Sequence, residues 1–321
     1  MRRLCAILIG LSLLLVGCTG TSSKATPVPP SNANGVAQSG PFPTATGSFG
    51  DKPALTFNPG SKPSTALQRK VIRAGSGATI AKGDLLAVDY LGQIWNGKVF
   101  DNSYDRHSAE AVQIGIGSVV TGWDTGLVGL KVGSRVMLSV PPALGYGADG
   151  NKAAGITATD TLVFVVDIAK SYNGHSSVDP SATAQPEPPA APIVTGALSV
   201  GPTITIPTGL APPVKKSTYV LARGHGALVT QGTAIIQYQG VDWVGEVAGS
   251  TWQNGAPTSV PVGAAADSTG GLFDSLVGIP VGSRVLIVAP APAGQPTGTS
   301  SAAVVVDILA QLTTAKAMAT E

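Results

Sequence analysis

Charge is scarce in this sequence. Asp, Glu, Lys and Arg make up 12% of its 321 residues, about half the roughly 25% usual for soluble domains. Twenty basic and 18 acidic residues leave a formal net charge of +2. No basic stripe of the kind that tracks a phosphate backbone is present, so nucleic acid is not an expected partner. Histidine is rare: His107, His175 and His225 lie far apart, without metal-ligand spacing, and neither a metal site nor a cofactor is expected. There is no Gly-x-Ser-x-Gly elbow and no phosphate-binding lysine loop. Gly145-x-Gly147-x-x-Gly150 matches a dinucleotide fingerprint in letters only, because no strand-helix-strand unit follows it. Aromatic residues amount to 5%. Gly, Ala, Thr, Ser and Pro fill the space, a mixture suited to short strands and loops rather than long helices.

Only two cysteines occur, Cys5 and Cys18. Arg2 and Arg3 precede an apolar stretch from Leu4 to Val16, a length that suits an export signal and is short for a membrane span. The stretch ends in Leu15-Val16-Gly17-Cys18, which resembles the lipobox of bacterial lipoproteins. That resemblance implies a signal peptide over 1–17, cleavage before Cys18 and diacylglyceryl transfer to its sulfur. The product would be extracytoplasmic and held to the bacterial cell membrane by its lipid, with no thiol left for a disulfide or a nucleophile.

Residues 18–50 are rich in Pro, Ser, Thr, Gly and Ala and read as a disordered tether. Residues 173–192, with Pro186-Glu187-Pro188-Pro189, read as a linker, and 313–321 as a short polar, frayed tail. The two segments between, 51–172 and 193–312, resemble each other. Val132-Gly133-Ser134-Arg135-Val136 matches Val281-Gly282-Ser283-Arg284-Val285, Tyr90-Leu91-Gly92 matches Tyr238-Gln239-Gly240, and Val165-Val166-Asp167-Ile168 matches Val305-Val306-Asp307-Ile308. Ordered matches of this kind indicate a duplicated domain. Within each copy, apolar residues alternate as strands do, as at Leu86, Val88 and Tyr90, or Leu162, Phe164, Val166 and Ile168. Trp123, Leu127 and Leu130 are spaced as on a helix, as are Leu272, Leu276 and Ile279. The expected class is α+β: two domains, each a twisted antiparallel sheet wrapped on one short helix.

Within 84–168 a further set of motifs runs in order. They are Val88-Asp89-Tyr90, Gly97-Lys98-Val99-Phe100-Asp101, Asn102 to Arg106, Val119-Val120-Thr121-Gly122-Trp123, Leu144-Gly145-Tyr146-Gly147 and Thr161-Leu162-Val163-Phe164. Together they resemble the FKBP family of peptidyl-prolyl cis-trans isomerases, the macrolide-binding immunophilins. The resemblance implies a pocket for proline with Trp123 as its floor and Tyr90, Phe100, Val119, Val120, Ile156 and Phe164 as its walls. It also implies that the Tyr146 hydroxyl donates to a substrate carbonyl, and that Asp101 sits near the prolyl carbonyl carbon and holds Tyr90 or Arg106. Catalytic roles fall to Asp101, Tyr146, Tyr90, Phe100 and Trp123; substrate contacts fall to Arg106, Val119, Val120, Ile156 and Phe164. Macrolides are the implied small-molecule ligands. Such chemistry needs no covalent step. The prolyl bond is held by amide resonance behind a barrier of about 18–20 kcal/mol, and a dry pocket that favours the twisted amide lowers it.

Two departures stand out. Glu110-Ala111-Val112 replaces an aromatic pocket wall, and Thr157-Ala158-Thr159 replaces a Pro-Pro-His segment. The second copy departs further: by offset, Ala248-Gly249 stands at Phe100-Asp101, Leu272 at Trp123, and no tyrosine at Tyr146; Trp243 and Trp252 could fill the vacant volume. Two functional readings follow. One is an isomerase that assists folding of exported proteins by binding their proline-containing segments. The other is a non-catalytic lipoprotein chaperone or envelope scaffold that binds such segments.

Overall fold

The computed structural model describes residue 36, residues 40–263 and residues 270–319. The expected signal, Cys18 and most of the tether lie outside the described residues. The first unit comprises β1 (Thr44–Ala45), β2 (Leu55–Thr56), β3 (Gln68–Arg73), β4 (Leu85–Ile94), β5 (Val99–Asn102), β6 (Glu110–Gln113), α1 (Thr121–Gly126), β7 (Arg135–Val140) and β8 (Leu162–Tyr172). The second comprises β9 (Thr183–Ala184), β10 (Ile193–Thr195), β11 (Thr203–Thr205), β12 (Ser217–Arg223), β13 (Gly232–Asp242), β14 (Val247–Ser250), α2 (Thr251–Asn254), β15 (Thr258–Val262), β16 (Arg284–Ala289), α3 (Thr297–Ser300), β17 (Ala302–Gln311) and α4 (Ala315–Met318).

The main sheet of the first unit runs β3-β7-β8-β4-β5, with β6 also on β4, and every pairing is antiparallel. Strand alternation sorts the residues. Leu86 and Val88 enter the core with Leu138, Phe164 and Val166, while Leu85 and Ala87 face the opposite side. The turn-and-a-half of α1 lies across the inner face, and Trp123, Leu127 and Leu130 fill the core from it and the turn that follows. Close approach requires glycine here: a Cβ on Gly122 would stand 2.5 Å from Val140 Cγ1.

The outer face is covered too. Phe42, Ala45, Leu55 and Phe57, from and around the β1–β2 hairpin, pack on Met137, Val163 and Val165. Arg135, 1% exposed, is bonded to Asp167 through Nε (2.6 Å) and donates to the carbonyls of Gly47 (2.6 Å) and Asp51 (2.7 Å). The expected tether to residue 50 therefore gives way to ordered chain by Gly40, because a buried guanidinium needs these carbonyls.

The second unit repeats this construction. Its main sheet runs β14-β13-β17-β16-β12-β9 with β15 on β13. Arg284 is bonded to Asp307 at 2.7 Å and donates to Ala197, Leu198 and Val200 carbonyls beside the β10–β11 hairpin. The duplicated stretch thus includes a hairpin ahead of each main sheet. Residues 173–192 also differ from a free linker. Thr183–Ala184 pairs with β12, and the Asp179 carboxylate lies 3.0 Å from His225 Nδ1.

The helix expected at Leu272, Leu276 and Ile279 is a single 3-10 turn, Asp274–Leu276. The hydrogen bonds also correct the alignment by one residue. Asp124 accepts from Gly115 N and Asp274 from Gly263 N; Leu127 N donates to Trp123 O and Leu276 N to Phe273 O. Phe273, rather than Leu272, stands in the place of Trp123. Trp243 packs under the outer hairpin and donates to Leu210 O at 3.0 Å, and Trp252 packs beside Gly201. Neither is in the inner core, which Phe273 and Tyr238 occupy.

The outer faces of β4 and β13 meet in an apolar cluster built from Leu85, Ala87, Ala109 and Ala169 of one unit and Ile235, Ala310 and Leu312 of the other. Each unit sends its C-terminal extension onto the other. Beyond β17, Ala315 N donates to Asp89 (2.6 Å) and Thr313 O accepts from Ala109 N (2.7 Å); beyond β8, Gly174 and Ser176 carbonyls accept from Gln237 (both 3.2 Å). The tail expected to fray is α4, with Ala315 and Met318 at 0% and 1% exposure.

Candidate functional site

The inner face of the first sheet carries an aromatic cluster. The rings of Tyr90 and Phe164 each meet Trp123 edge-on, with centroids 5.3 Å away at 87° and 86°, and Phe100 meets Phe164 at 5.7 Å and 89°. These are the edge-to-face arrangements that aromatic quadrupoles favour. The pleat places Tyr90 and Gly92 two residues apart on β4, and Gly92 makes the room: a Cβ there would be 2.6 Å from Phe100 Cζ and 3.0 Å from Phe164 Cε1. Trp123 is 4% exposed, and its indole Nε1 has no hydrogen-bond partner among the described residues. Val119 and Val120 pack against the core at the start of α1, and Ile156 is buried in the same core.

A polar network borders the aromatic cluster. The Tyr90 hydroxyl donates to Asp101 Oδ2. Arg106 Nη1 donates to Asp101 Oδ1 at 2.6 Å, its Nη2 donates to the Tyr90 oxygen at 3.1 Å, and its guanidinium lies 5.7 Å from the Tyr90 ring centroid. Burial works to raise the Asp101 carboxyl, but the Tyr90 and Arg106 hydrogen bonds outweigh it and hold it below the ordinary value. Burial first, and then Asp101, push the Tyr90 phenol well above its usual value. Burial opposes the charge on Arg106, yet Asp101 and Tyr90 hold it above its ordinary value. At neutral pH the three therefore form an ionised carboxylate, a neutral phenol and a guanidinium cation.

Nine of the expected site residues, Tyr90, Phe100, Asp101, Arg106, Val119, Val120, Trp123, Ile156 and Phe164, come together in this one region. Tyr146 follows Leu144, which packs against the same core. It lies between two 3-10 turns, Pro142–Leu144 and Gly147–Asp149, is 36% exposed, and its hydroxyl has no hydrogen-bond partner among the described residues. Cys18 lies outside the described residues.

One supporting residue escaped the sequence reading. Ser103, fully buried, accepts from Tyr90 N (2.9 Å) and donates to Asp89 (2.7 Å), which fixes the strand that carries Tyr90. Its counterpart Thr251 accepts from Tyr238 N in the second unit, a pairing that a comparison of the two copies could have revealed. Glu110 stands where the family resemblance places an aromatic wall, the departure already visible in the sequence. Its carboxylate is 3.5 Å from Arg106 Nη2 and its side chain is half exposed, so that wall is polar.

The network does not recur. Strand pairing sets Gly249 opposite Gly240 as Asp101 is opposite Gly92, so Tyr238 has no carboxylate at the Asp101 position.

The family model for the FKBP-type peptidyl-prolyl cis-trans isomerase matches residues 77–169. An FK506-binding protein of Streptomyces anulatus is 38% identical over 119 residues, which is 37% of this chain and 95% of that protein. FK506-binding protein 1 of Debaryomyces hansenii is 42% identical over 109 residues, 34% of this chain and 96% of the relative. A Neisseria meningitidis serogroup B FK506-binding protein is 38% identical over 102 residues, 32% of this chain and 92% of the relative. With the aromatic cluster and the Tyr90–Asp101–Arg106 network inside the stretch that the family model matches, and with these relatives covered over more than nine-tenths of their own length, the chain belongs to the FKBP-type peptidyl-prolyl cis-trans isomerase family.

Proposed function

We propose that this protein accelerates prolyl isomerisation in exported polypeptides while anchored outside the cytoplasm through a lipid on Cys18. The observation that carries the catalytic reading is the aromatic floor at Trp123 bordered by the Tyr90–Asp101–Arg106 network. A pyrrolidine ring laid on the Trp123 indole, between Phe100, Phe164, Val119, Val120 and Ile156, would leave water. The carbonyl before the proline would then lie in low-dielectric surroundings. A twisted amide has lost resonance and carries a less polar carbonyl, so this site binds it better than the planar ground state. Asp101 keeps Tyr90 and Arg106 in place at the rim, and the unpartnered Tyr146 hydroxyl is a donor for a substrate carbonyl. No proton is transferred and no bond is broken.

The same apolar floor suits a macrolide such as the one for which the bacterial and yeast relatives are named. Membrane attachment rests on the Leu15-Val16-Gly17-Cys18 sequence. The second unit reads as a degenerate FKBP-like domain. It keeps the strands and the buried Arg–Asp pair but lacks the carboxylate partner for Tyr238 and has Phe273 for Trp123.

A protease-coupled assay with a prolyl tetrapeptide tests the catalytic reading: the full chain should shorten the slow phase, and Tyr146→Phe should weaken the effect without lowering the melting temperature. A rate equal to the uncatalysed one overturns the isomerase reading and leaves a non-catalytic binder of proline-containing segments. Lipid attachment is tested by incorporation of labelled fatty acid, which Cys18→Ala should abolish.

A further inference from the structure

A groove of about 390 Å³ runs between the two units beside the aromatic site. The first unit contributes Arg106, Glu110 and Ala111 to its lining, and the second contributes Thr233, Ser259 and Pro261. Three features give it a direction. First, it is continuous with the proline site, because Arg106 belongs to both. The same guanidinium that bonds Asp101 and Tyr90 reaches Glu110 in the groove. Second, among the described residues β6 pairs only with β4, and β15 only with β13. Each therefore has an open edge, and such edges accept an extended chain through main-chain hydrogen bonds. Third, Ala111, Thr233 and Ser259 are short, so a backbone can come close, and the Arg106 charge is balanced by Asp101 and Glu110. A surface of this kind recognises the main chain rather than particular side chains.

We propose that this groove binds the extended stretch of client polypeptide that flanks the proline seated on Trp123, so that the second unit enlarges the substrate site of the first. The occupant is an unfolded protein chain, a class of substrate in which the residues beside the proline are extended and unpaired. The proposal rests on the isomerase reading for the position of the proline, and it gives the otherwise inactive second unit a part in substrate selection. Ala109 and Leu312 both line the groove, and Ala109 N donates to Thr313 O at 2.7 Å, so its shape depends on both units staying docked.

The test compares two substrates on the full chain: a prolyl tetrapeptide, which fills only the aromatic site, and an unfolded protein whose refolding is limited by a prolyl bond. Ser259→Tyr and Thr233→Tyr, on separate strands, each fill the groove from the second unit. Both should lower kcat/KM for the protein substrate about tenfold, equivalent to about 1.4 kcal/mol, and leave the tetrapeptide within about twofold. Thermal unfolding should match wild type for at least one of them. Equal losses on both substrates, or no loss on either, overturn the proposal. If wild type fails to accelerate the tetrapeptide, the isomerase reading falls alone. The groove is then judged by fluorescence anisotropy with a labelled unfolded proline-rich peptide: weaker binding to Ser259→Tyr sustains it, and unchanged binding overturns it.

Discussion

Replacing Asp101 by Ala removes one acceptor shared by two donors, the Tyr90 hydroxyl and Arg106 Nη1. The two bonds differ in worth. Tyr90 is more than half buried beside Trp123, so its hydrogen bond to a carboxylate contributes about 1.5–3 kcal/mol. The Arg106–Asp101 pair has side-chain exposures of 45% and 42%; solvent screening limits it to about 0–1 kcal/mol. Together the loss is about 1.5–4 kcal/mol, which corresponds to about 10- to 900-fold in kcat/KM if it is fully expressed in the transition state. Asp101→Asn keeps an oxygen that can accept from Tyr90 while removing the charge, so its loss should be smaller. The assay is protease-coupled tetrapeptide isomerisation alongside thermal unfolding. If Asp101→Ala holds kcat/KM within about twofold of wild type while its melting temperature falls, Asp101 is a strut for the loop and takes no part in the reaction.

Further expectations come from the same geometry. Asp101 has a lowered carboxyl pKa, so its stabilising contribution is complete above the unfolded value of about 3.9 and is lost as pH falls through the lower folded value. Tyr90 has a raised pKa, so its contribution is complete below the unfolded value of about 10 and is lost as pH rises beyond it. The kcat/KM profile should therefore be flat from about pH 5 to 9, and an inflection inside that window would contradict the assignment of charges. Burial chiefly raises the Asp89 carboxyl, against the Ser103 and Ala315 hydrogen bonds, and its counterpart in the second unit is the neutral Gln237. Asp89→Asn should leave the melting temperature close to wild type, whereas Asp89→Ala, which leaves Ala315 N without its acceptor, should cost about 1–3 kcal/mol. Removal of residues 313–321 should lower the melting temperature and expose the outer face of β4, because α4 buries Ala315 and Met318 there; an unchanged melting curve would show that the tail is dispensable.

The core of the first unit was legible because strand alternation and motif order are local properties. Leu86, Val88 and Tyr90 had to share a face, and the ordered motifs carried Phe100, Asp101 and Trp123 to one place. The hairpin at Thr44–Ala45 and Leu55–Thr56 was not legible. Its segment has the composition of a linker, and its order comes from Arg135, which reaches Gly47 and Asp51 from far along the chain. The tail is a similar case: Ala315 N meets a carboxylate 226 residues away, and no pattern within the nine residues 313–321 announces that. The Leu272 assignment missed by one residue because the spacing changes inside the turn. From Asp124 to Leu127 is three residues, and from Asp274 to Leu276 is two, so counting at a constant offset passes over Phe273. The polar wall at Glu110 was legible as a departure, while its pairing with Arg106 required the folded loop.

The central claim is that catalysis resides on the Trp123 floor of the first unit and nowhere else in the chain. Exchange spectroscopy by NMR on a prolyl peptide reads it most directly, because it records cis-to-trans conversion at equilibrium without a coupled protease. Wild-type full chain should produce exchange cross-peaks at catalytic concentrations, and Trp123→Leu should remove them while the second unit, with Phe273 in the corresponding place, supplies none. Exchange that persists unchanged in a folded Trp123→Leu variant, or is absent from wild type, would contradict the account.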